Sequence, residues 1–115
     1  MLSLLLAACA PPAEEPCDWP SAPSAPGGSV EDSCGWYTLA VGEHLVANVH
    51  VVEPEVDCEY ALDAGLDLPN SPIYSAVYDE PKYTLDVEAT SVGEGLLVDV
   101  TCGDGTRWLA KVDVE

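Results

Sequence analysis

The chain has 115 residues, enough for one domain, and a formal net charge of −18, from 3 Lys and Arg against 21 Asp and Glu. A surface this acidic repels phosphates, which argues against nucleic acid and anionic lipid head groups as partners. Hydrophobic residues make up 48% of the chain, too many for one that stays wholly unfolded.

The chain begins with a short apolar run, residues 2–8, that ends at Cys9. A membrane span takes about 20 residues, so this run is too short to cross a bilayer. Leu6-Ala7-Ala8-Cys9 resembles the lipobox of bacterial lipoproteins, in which the cysteine is lipidated and becomes the mature N-terminus. No Lys or Arg precedes the apolar run, which departs from the usual signal segment. The alternative is an apolar N-terminus without a targeting role.

The lipobox resemblance has three implications. Residues 1–9 would be a lipoprotein signal segment, and Cys9 would anchor the protein to a membrane. The location would be the cell envelope. The outer membrane is favoured over the inner one, because Ala10 rather than Asp follows Cys9.

Residues 10–33 form a Pro-rich, acidic segment. Proline lacks a backbone donor and fixes its own φ, so regular structure is not expected here. The composition predicts a linker with polyproline II character that holds the following domain away from the membrane. Cys17 lies inside this segment, which suggests that the linker is pinned to the domain, predicted to span residues 34–115.

From Trp36 onward, apolar and polar residues alternate with period two, which is typical of half-buried β-strands. The first strands are predicted at residues 36–41, 44–52 and 58–63, with a short edge strand at 73–78. The intervening residues 63–72 are predicted to be a loop from which Leu66 and Leu68 point inward.

The strongest strand signals come last, at residues 82–89, 96–102 and 107–114, with a turn at 93–95. In the final hairpin, a three-residue loop, 103–105, places Val100 opposite Trp108, so that both apolar faces coincide. A two-residue loop would turn one apolar face to solvent. The three-residue loop requires Gly105 in the left-handed conformation.

These strands resemble the bacterial immunoglobulin-like domains, in a match that covers roughly residues 36–115. The expected fold is therefore all-β, an antiparallel immunoglobulin-like β-sandwich of about seven strands. A transthyretin-like sandwich or a small jelly roll is the alternative.

Besides Cys9, four cysteines remain, an even number that predicts two disulfides in an exported protein. None forms a Cys-x-x-Cys pair, so zinc binding and thioredoxin chemistry have no support. Cys58 and Cys102 share the apolar faces of their strands. In a sandwich of this order those strands are neighbours, which predicts a Cys58–Cys102 bridge. Cys17 and Cys34 are then left to pair with each other.

No catalytic constellation is recognised. His44 and His50 lie on the outer face of one strand, about 20 Å apart, too far to share a metal. No Gly-x-Ser-x-Gly motif is present. Acidic residues surround the bends, but no EF-hand pattern accompanies them. They are Glu53, Glu55, Asp57, Glu59, Asp63, Asp67, Asp79 and Glu80. We therefore predict no catalytic residue, no metal site and no cofactor.

The function predicted from the sequence is a membrane-anchored, non-enzymatic binding or structural module with an unknown protein or glycan partner. The first alternative is a calcium-stabilised adhesion module, and a small extracellular hydrolase is the weakest. Four apolar or aromatic residues are expected to be exposed and to mark a protein contact. They are Tyr74, Tyr78, Leu97 and Leu109.

Overall fold

The computed structural model describes residues 17–77 and 79–115, which fold into eight β-strands in two sheets. The strands are β1 (Gly35–Leu39), β2 (His44–His50), β3 (Cys58–Leu62), β4 (Leu66–Asp67), β5 (Ile73–Val77), β6 (Glu80–Ala89), β7 (Gly93–Cys102) and β8 (Arg107–Val114). Over these ranges, no helix is long and apolar enough to cross a membrane. The predicted lipidation site Cys9, the first residues of the linker and Tyr78 lie outside the described residues.

The first sheet has the order β1-β8-β7-β3, and the second has β2-β6-β4 with β5 also paired to β6. Strands β4 and β5 follow one another along the edge of β6 that faces away from β2. The neighbours β1 and β8 run parallel, from Gly35 opposite Ala110 to Leu39 opposite Val114.

Two expectations about the strands need correction. There are eight strands rather than about seven, because Leu66–Asp67 pairs with β6 inside the predicted loop. Two residues are too few to show a period. The sheets are also not wholly antiparallel, since β1 pairs parallel with β8. Alternation reports which face a residue occupies, but it carries no information on strand direction.

A single core lies between the sheets and takes the inward-facing residues of both. Its fully buried members include Leu45, Val49, Leu85, Val87, Val98, Val100, Val112 and Val114. Burying each such side chain contributes about 1.5–3 kcal/mol, so the period-two pattern of the long strands is the main source of stability.

The predicted pairing register of the last hairpin is confirmed. Val100 pairs with Trp108 across β7 and β8. The Gly105 N–H donates to the Cys102 carbonyl at 3.0 Å, and Gly105 has φ of 96°, in the left-handed region. The turn predicted at residues 93–95 instead lies inside β7, where the pairing with β8 shifts between Gly93 and Leu96.

Two disulfides are present, and they join the cysteines in the expected pairs. Cys58 and Cys102 stand directly opposite each other on β3 and β7, with their Cα atoms 3.9 Å apart. Cys17 and Cys34 are joined with a Cα separation of 5.4 Å. The first bridge ties two paired strands, and the second fixes the linker to the residue that precedes β1.

The described part of the linker, residues 17–33, lies against both sheets. Ser24 forms a parallel bridge with Tyr37 on β1, and Val30 forms one with Ala47 on β2. Each bridge lies on the strand edge that its own sheet leaves unpaired. The linker therefore covers one edge of each sheet, which removes two sites where another strand could pair.

Side chains also hold the linker in place. The Trp108 indole N–H donates to the Glu31 carbonyl at 3.1 Å, and the Lys111 ammonium lies 5.0 Å from the ring centre of Trp19. The Leu109 N–H donates to the Ser33 hydroxyl at 3.0 Å.

Leu109 is buried, with 4% exposure, so the expectation that it marks a protein contact is wrong. The end of the linker, whose position strand alternation does not predict, packs against Leu109.

Candidate functional site

Three connections between strands meet at one end of the molecule: residues 51–57 between β2 and β3, the β5–β6 connection with Asp79, and residues 103–106 between β7 and β8. The Gly103 N–H donates to the Asp57 carbonyl at 2.8 Å, which joins the first connection to the third. The Val51 N–H donates to the Pro81 carbonyl at 3.0 Å, which brings the second alongside. We call this region the three-loop end.

Asp104 links two of these connections through its carboxylate. One oxygen accepts a hydrogen bond from the Thr106 N–H at 2.9 Å. The other accepts from the N–H groups of Val52, at 2.8 Å, and Glu53, at 3.1 Å. The backbone bond from Thr106, helped by those from Glu53 and Val52, lowers the pKa of Asp104 to about 2. The carboxylate is therefore charged at neutral pH and acts as a brace between the loops.

Aromatic rings support the base of the β2–β3 connection. The Tyr83 hydroxyl donates to the Val56 carbonyl at 2.5 Å. The Tyr83 ring packs edge-on against Tyr60, with centroids 6.5 Å apart, and tilted against Tyr74 at 5.3 Å. Burial raises the pKa of Tyr83, and it raises that of Tyr60 to about 12. Both phenols stay protonated at physiological pH, so Tyr83 remains a donor to the loop.

The surface of the three-loop end combines apolar and acidic side chains. Val52 is 78% exposed. Glu55 and Asp79 have left-handed backbones, with φ of 54° and 62°. A cleft of about 220 Å³ opens between Val52 and Pro54 on one side and the start of the β5–β6 hairpin on the other. The cleft is lined by Val52, Pro54, Tyr74, Ala76, Asp79 and Pro81.

A second cleft, of about 300 Å³, lies where β3 and β7 meet this end. It is lined by Asp57, Glu59, Thr101, Cys102 and Gly103. Two of the acidic residues predicted around the β2–β3 bend, Asp57 and Glu59, therefore line one cleft. Within residues 17–77 and 79–115, however, no three His, Cys, Asp or Glu side chains are placed to hold a metal ion.

The histidines lie on the outer face of β2, as expected, and each has an acidic neighbour. His44 Nδ1 is 2.5 Å from Asp86 Oδ1, and this side-chain hydrogen bond raises the pKa of His44. His50 Nε2 is 3.4 Å from Glu31 Oε1, a contact between β2 and the linker. The first pair joins β2 to β6, and the second joins β2 to the linker at His50, which directly precedes the β2–β3 connection.

The role of Asp104 is not predicted by the sequence pattern, in which Gly103-Asp104-Gly105 indicates only a turn. An Asp whose side chain bonds the amide two residues ahead is a common local motif, so the bond to Thr106 could have been expected. The bonds to Val52 and Glu53 join residues that are distant in sequence, and no local pattern reports them.

Two solved structures are similar to this chain. The solution structure of amebosin superposes with a TM-score of 0.56 and 19% identity, covering 77% of this chain and 100% of that one. The crystal structure of the cysteine protease inhibitor EhICP2 from Entamoeba histolytica superposes with a TM-score of 0.59 and 7% identity, covering 75% and 92%. At these identities the likeness shows a shared all-β fold. No protein family and no curated protein sequence matches the chain.

Proposed function

We propose that the chain is a non-enzymatic binding module of the bacterial cell envelope, with an immunoglobulin-like sandwich held at a membrane by a lipid on Cys9. It engages a protein partner through the three-loop end. The observation that carries this proposal is the Asp104 brace, which joins the β2–β3 and β7–β8 connections. Loops fixed before binding lose little conformational entropy on association, which favours tight recognition.

The chemistry of the surface supports a protein as partner. Binding residues of proteins are concentrated on loops that a rigid scaffold positions, and the three-loop end is a set of such loops. Protein interfaces combine an apolar centre with a polar rim, and Val52 lies among exposed carboxylates such as Glu53 and Glu55. A net charge of −18 attracts basic partners and accelerates their approach.

The test is site-specific photo-cross-linking in intact cells. A photoreactive amino acid replaces Val52 at the three-loop end, or Glu94 near the start of β7 at the opposite end of the strand. A discrete adduct of higher mass from position 52, absent from position 94, supports the proposal. No adduct at 52, or adducts from 94 alone, would contradict it.

A second candidate function is inhibition of a cysteine protease. The three-loop end presents several connections side by side, and the solved structure of EhICP2 shares the fold. The assay titrates the full chain against papain and follows hydrolysis of a fluorogenic peptide. Stoichiometric loss of activity that the Asp104→Asn variant weakens would support this function. Full papain activity at high excess of the chain would count against it.

The anchor is tested separately. We expect Cys9→Ala to release the protein from the membrane fraction, because one acyl-modified cysteine would be its hydrophobic attachment. The measurement is fractionation of cells that express either form, with Glu94→Gln as a control substitution at an exposed residue far from the lipobox in sequence. Equal membrane association of Cys9→Ala and the unaltered chain would overturn the lipobox hypothesis.

A further inference from the structure

Within the described residues, strand β5 forms an open, uncharged edge of the second sheet. Among the described residues, β5 pairs only with β6. The linker covers the free edges of β1 and β2, and the free edge of β3 carries Glu59. Strand β5 has the sequence IYSAV, with Ile73 67% exposed and Val77 53% exposed. Proteins normally guard such an edge with charge or a covering segment, and β5 has neither in the described chain.

The backbone groups that point away from β6 can be identified. Ala76 stands opposite Pro81, which has no N–H, so this is a non-hydrogen-bonded pair of the antiparallel ladder. Tyr74 opposite Tyr83 is the next pair of the same kind. The N–H and C=O groups of Tyr74 and Ala76 therefore point outward, where an added strand would bond to them.

The cleft of about 220 Å³ lies beside the same two residues, since Tyr74 and Ala76 line it together with Val52, Pro54 and Asp79. Side chains of an added strand would alternate between the two faces of the sheet, and those on the inner face would lie over the cleft. Lys82, opposite Ser75, belongs to the outer face, so no cation of β6 competes there. The Asp79 carboxylate forms no hydrogen bond or ion pair with the described residues.

We propose that β5 binds an extended, basic segment of a partner protein by strand addition, with a Lys or Arg side chain in the cleft. The apolar stem would contact Val52, Pro54 and the Tyr74 ring, and the cationic head would meet Asp79. Apolar residues of the segment would lie beside Ile73 and Val77 on the outer face. This proposal rests on the proposed function in giving the chain a protein partner, and it adds the β5 edge to the cleft of the three-loop end as the place where that partner binds.

Charge identifies the occupant. A second copy of the chain would bring another net charge of −18 to the same edge, and an acidic segment would be repelled by Asp79 and Glu80. A basic segment gains attraction as well as backbone hydrogen bonds. Strand addition supplies affinity through the main chain and specificity through the pockets for alternate side chains.

The experiment measures fluorescence anisotropy of a labelled octapeptide that alternates Val and Lys, with the full chain in a mild non-ionic detergent. We expect saturable binding, and binding about tenfold weaker or less when Glu replaces Lys. Methylation of alternate peptide amides should also abolish binding, which tests strand addition without changing the protein.

Two pairs of variants locate the site. Ala76→Pro removes the outward N–H, whereas Ala76→Val makes a side-chain change of similar size in the cleft but keeps the N–H. Ala76→Pro should therefore bind about tenfold more weakly than Ala76→Val. Asp79→Asn removes the charge but keeps a residue that tolerates φ of 62°, and it should weaken binding about threefold. Glu94→Gln makes the same change of charge elsewhere and should have no effect.

Three outcomes would overturn the proposal: equal affinity for the Lys and Glu peptides, equal affinity of Ala76→Pro and Ala76→Val, or no saturable binding. Sedimentation that shows a dimer lost in Ala76→Pro would identify the occupant as a second copy, and would also overturn it. A failed cross-link at position 52 would leave the difference between Ala76→Pro and Ala76→Val intact. The two proposals therefore fail separately.

Discussion

At the scale of single residues, Asp104 shows how one carboxylate can join two loops. It lies in the β7–β8 connection, residues 103–106, where one of its oxygens accepts a hydrogen bond from the Thr106 N–H. Its second oxygen then accepts from two consecutive amides of another connection. The negative charge strengthens all of these bonds, because hydrogen bonds to an ionised acceptor are stronger than neutral ones.

We expect Asp104→Asn to lower the melting temperature at pH 7, because the uncharged amide accepts these bonds more weakly. The folded-state pKa of Asp104 is lowered to about 2, from an ordinary value of 3.8. Its contribution to stability is therefore complete above about pH 4 and is lost as the pH falls toward 2. The difference in melting temperature between the two proteins should shrink over that range.

Thermal unfolding followed by circular dichroism measures this difference at a series of pH values. Glu94→Gln is the matched control, since it removes one negative charge at an exposed site away from the three-loop end. A constant difference between Asp104→Asn and the unaltered chain from pH 7 to pH 2 would show that the charge of Asp104 does not brace the loops.

Some residues could be predicted from the sequence, because the alternation of inward and outward side chains along one hairpin determines their conformation or burial. The left-handed Gly105 and the inward direction of Cys102 both follow from alternation across one short hairpin. The burial of Leu109 could not be predicted, because its position on the outer face says nothing about the Ser33 hydroxyl and the Cys34 N–H that bond to it. The long-range bonds of Asp104 are unpredictable for the same reason.

At the scale of elements, the two disulfides fix different parts of the chain. The Cys58–Cys102 bridge spans a sequence separation of 44 and joins strands inside the first sheet. The Cys17–Cys34 bridge spans 17 residues and joins the linker to the start of β1. Cys102 is buried at 5% exposure, so its replacement also disturbs core packing.

We expect the double variant Cys58→Ala and Cys102→Ala to lose more stability than Cys17→Ala and Cys34→Ala. Loop entropy alone gives about 4 kcal/mol for the first bridge and about 3 kcal/mol for the second. The lost packing of Cys102 widens this gap, whereas the linker can detach while the sheets stay folded. Urea denaturation of the three proteins measures the difference, and equal midpoints would contradict the expectation.

The pairing itself is checked by mass mapping of unreduced digests made with an Asp/Glu-directed protease. Peptides joining Cys58 to Cys102 and Cys17 to Cys34 are expected, as the structure has them. A peptide that joins Cys34 to Cys58 would contradict both bridges at once.

Long, regular elements were the predictable ones. Strands β6, β7 and β8 lie close to their expected positions, because ten or so alternating residues leave little ambiguity. Strand β4 was missed, since its two residues pair only because β6 extends beside them. The bridges of Ser24 and Val30 use backbone groups, so the Pro-rich composition of the linker gave no sign of them.

At the scale of the whole molecule, the negative charge of the described residues is largely unpaired. These residues form one Arg–carboxylate ion pair, Arg107–Asp99, and two His–carboxylate contacts, His44–Asp86 and His50–Glu31, which are ionic only when the histidine is protonated. Against a formal net charge of −18 these compensate little. Carboxylates spread over a small surface repel one another, and this repulsion opposes the compact state.

We expect the melting temperature to rise when salt increases from about 10 mM to about 150 mM, because the Debye length falls from about 30 Å to about 8 Å. Sodium chloride and potassium chloride should act equally at the same ionic strength, which separates screening from specific ion binding. A flat or falling melting temperature would show that the carboxylates do not destabilise the fold.

The Cys17–Cys34 bridge also determines how the molecule would carry a mechanical load. Tension applied at Cys17 crosses the disulfide to Cys34 and enters β1 directly, so residues 18–33 bear none of it. Strand β1 lies parallel to the last strand, β8, over five residue pairs from Gly35–Ala110 to Leu39–Val114. Opposing forces on the start of β1 and the end of β8 therefore shear all of these pairs together instead of unzipping them one by one. If the disulfide were reduced, the same force would pass along residues 18–33 to the β-bridges of Ser24 and Val30. These two β-bridges can break one after the other.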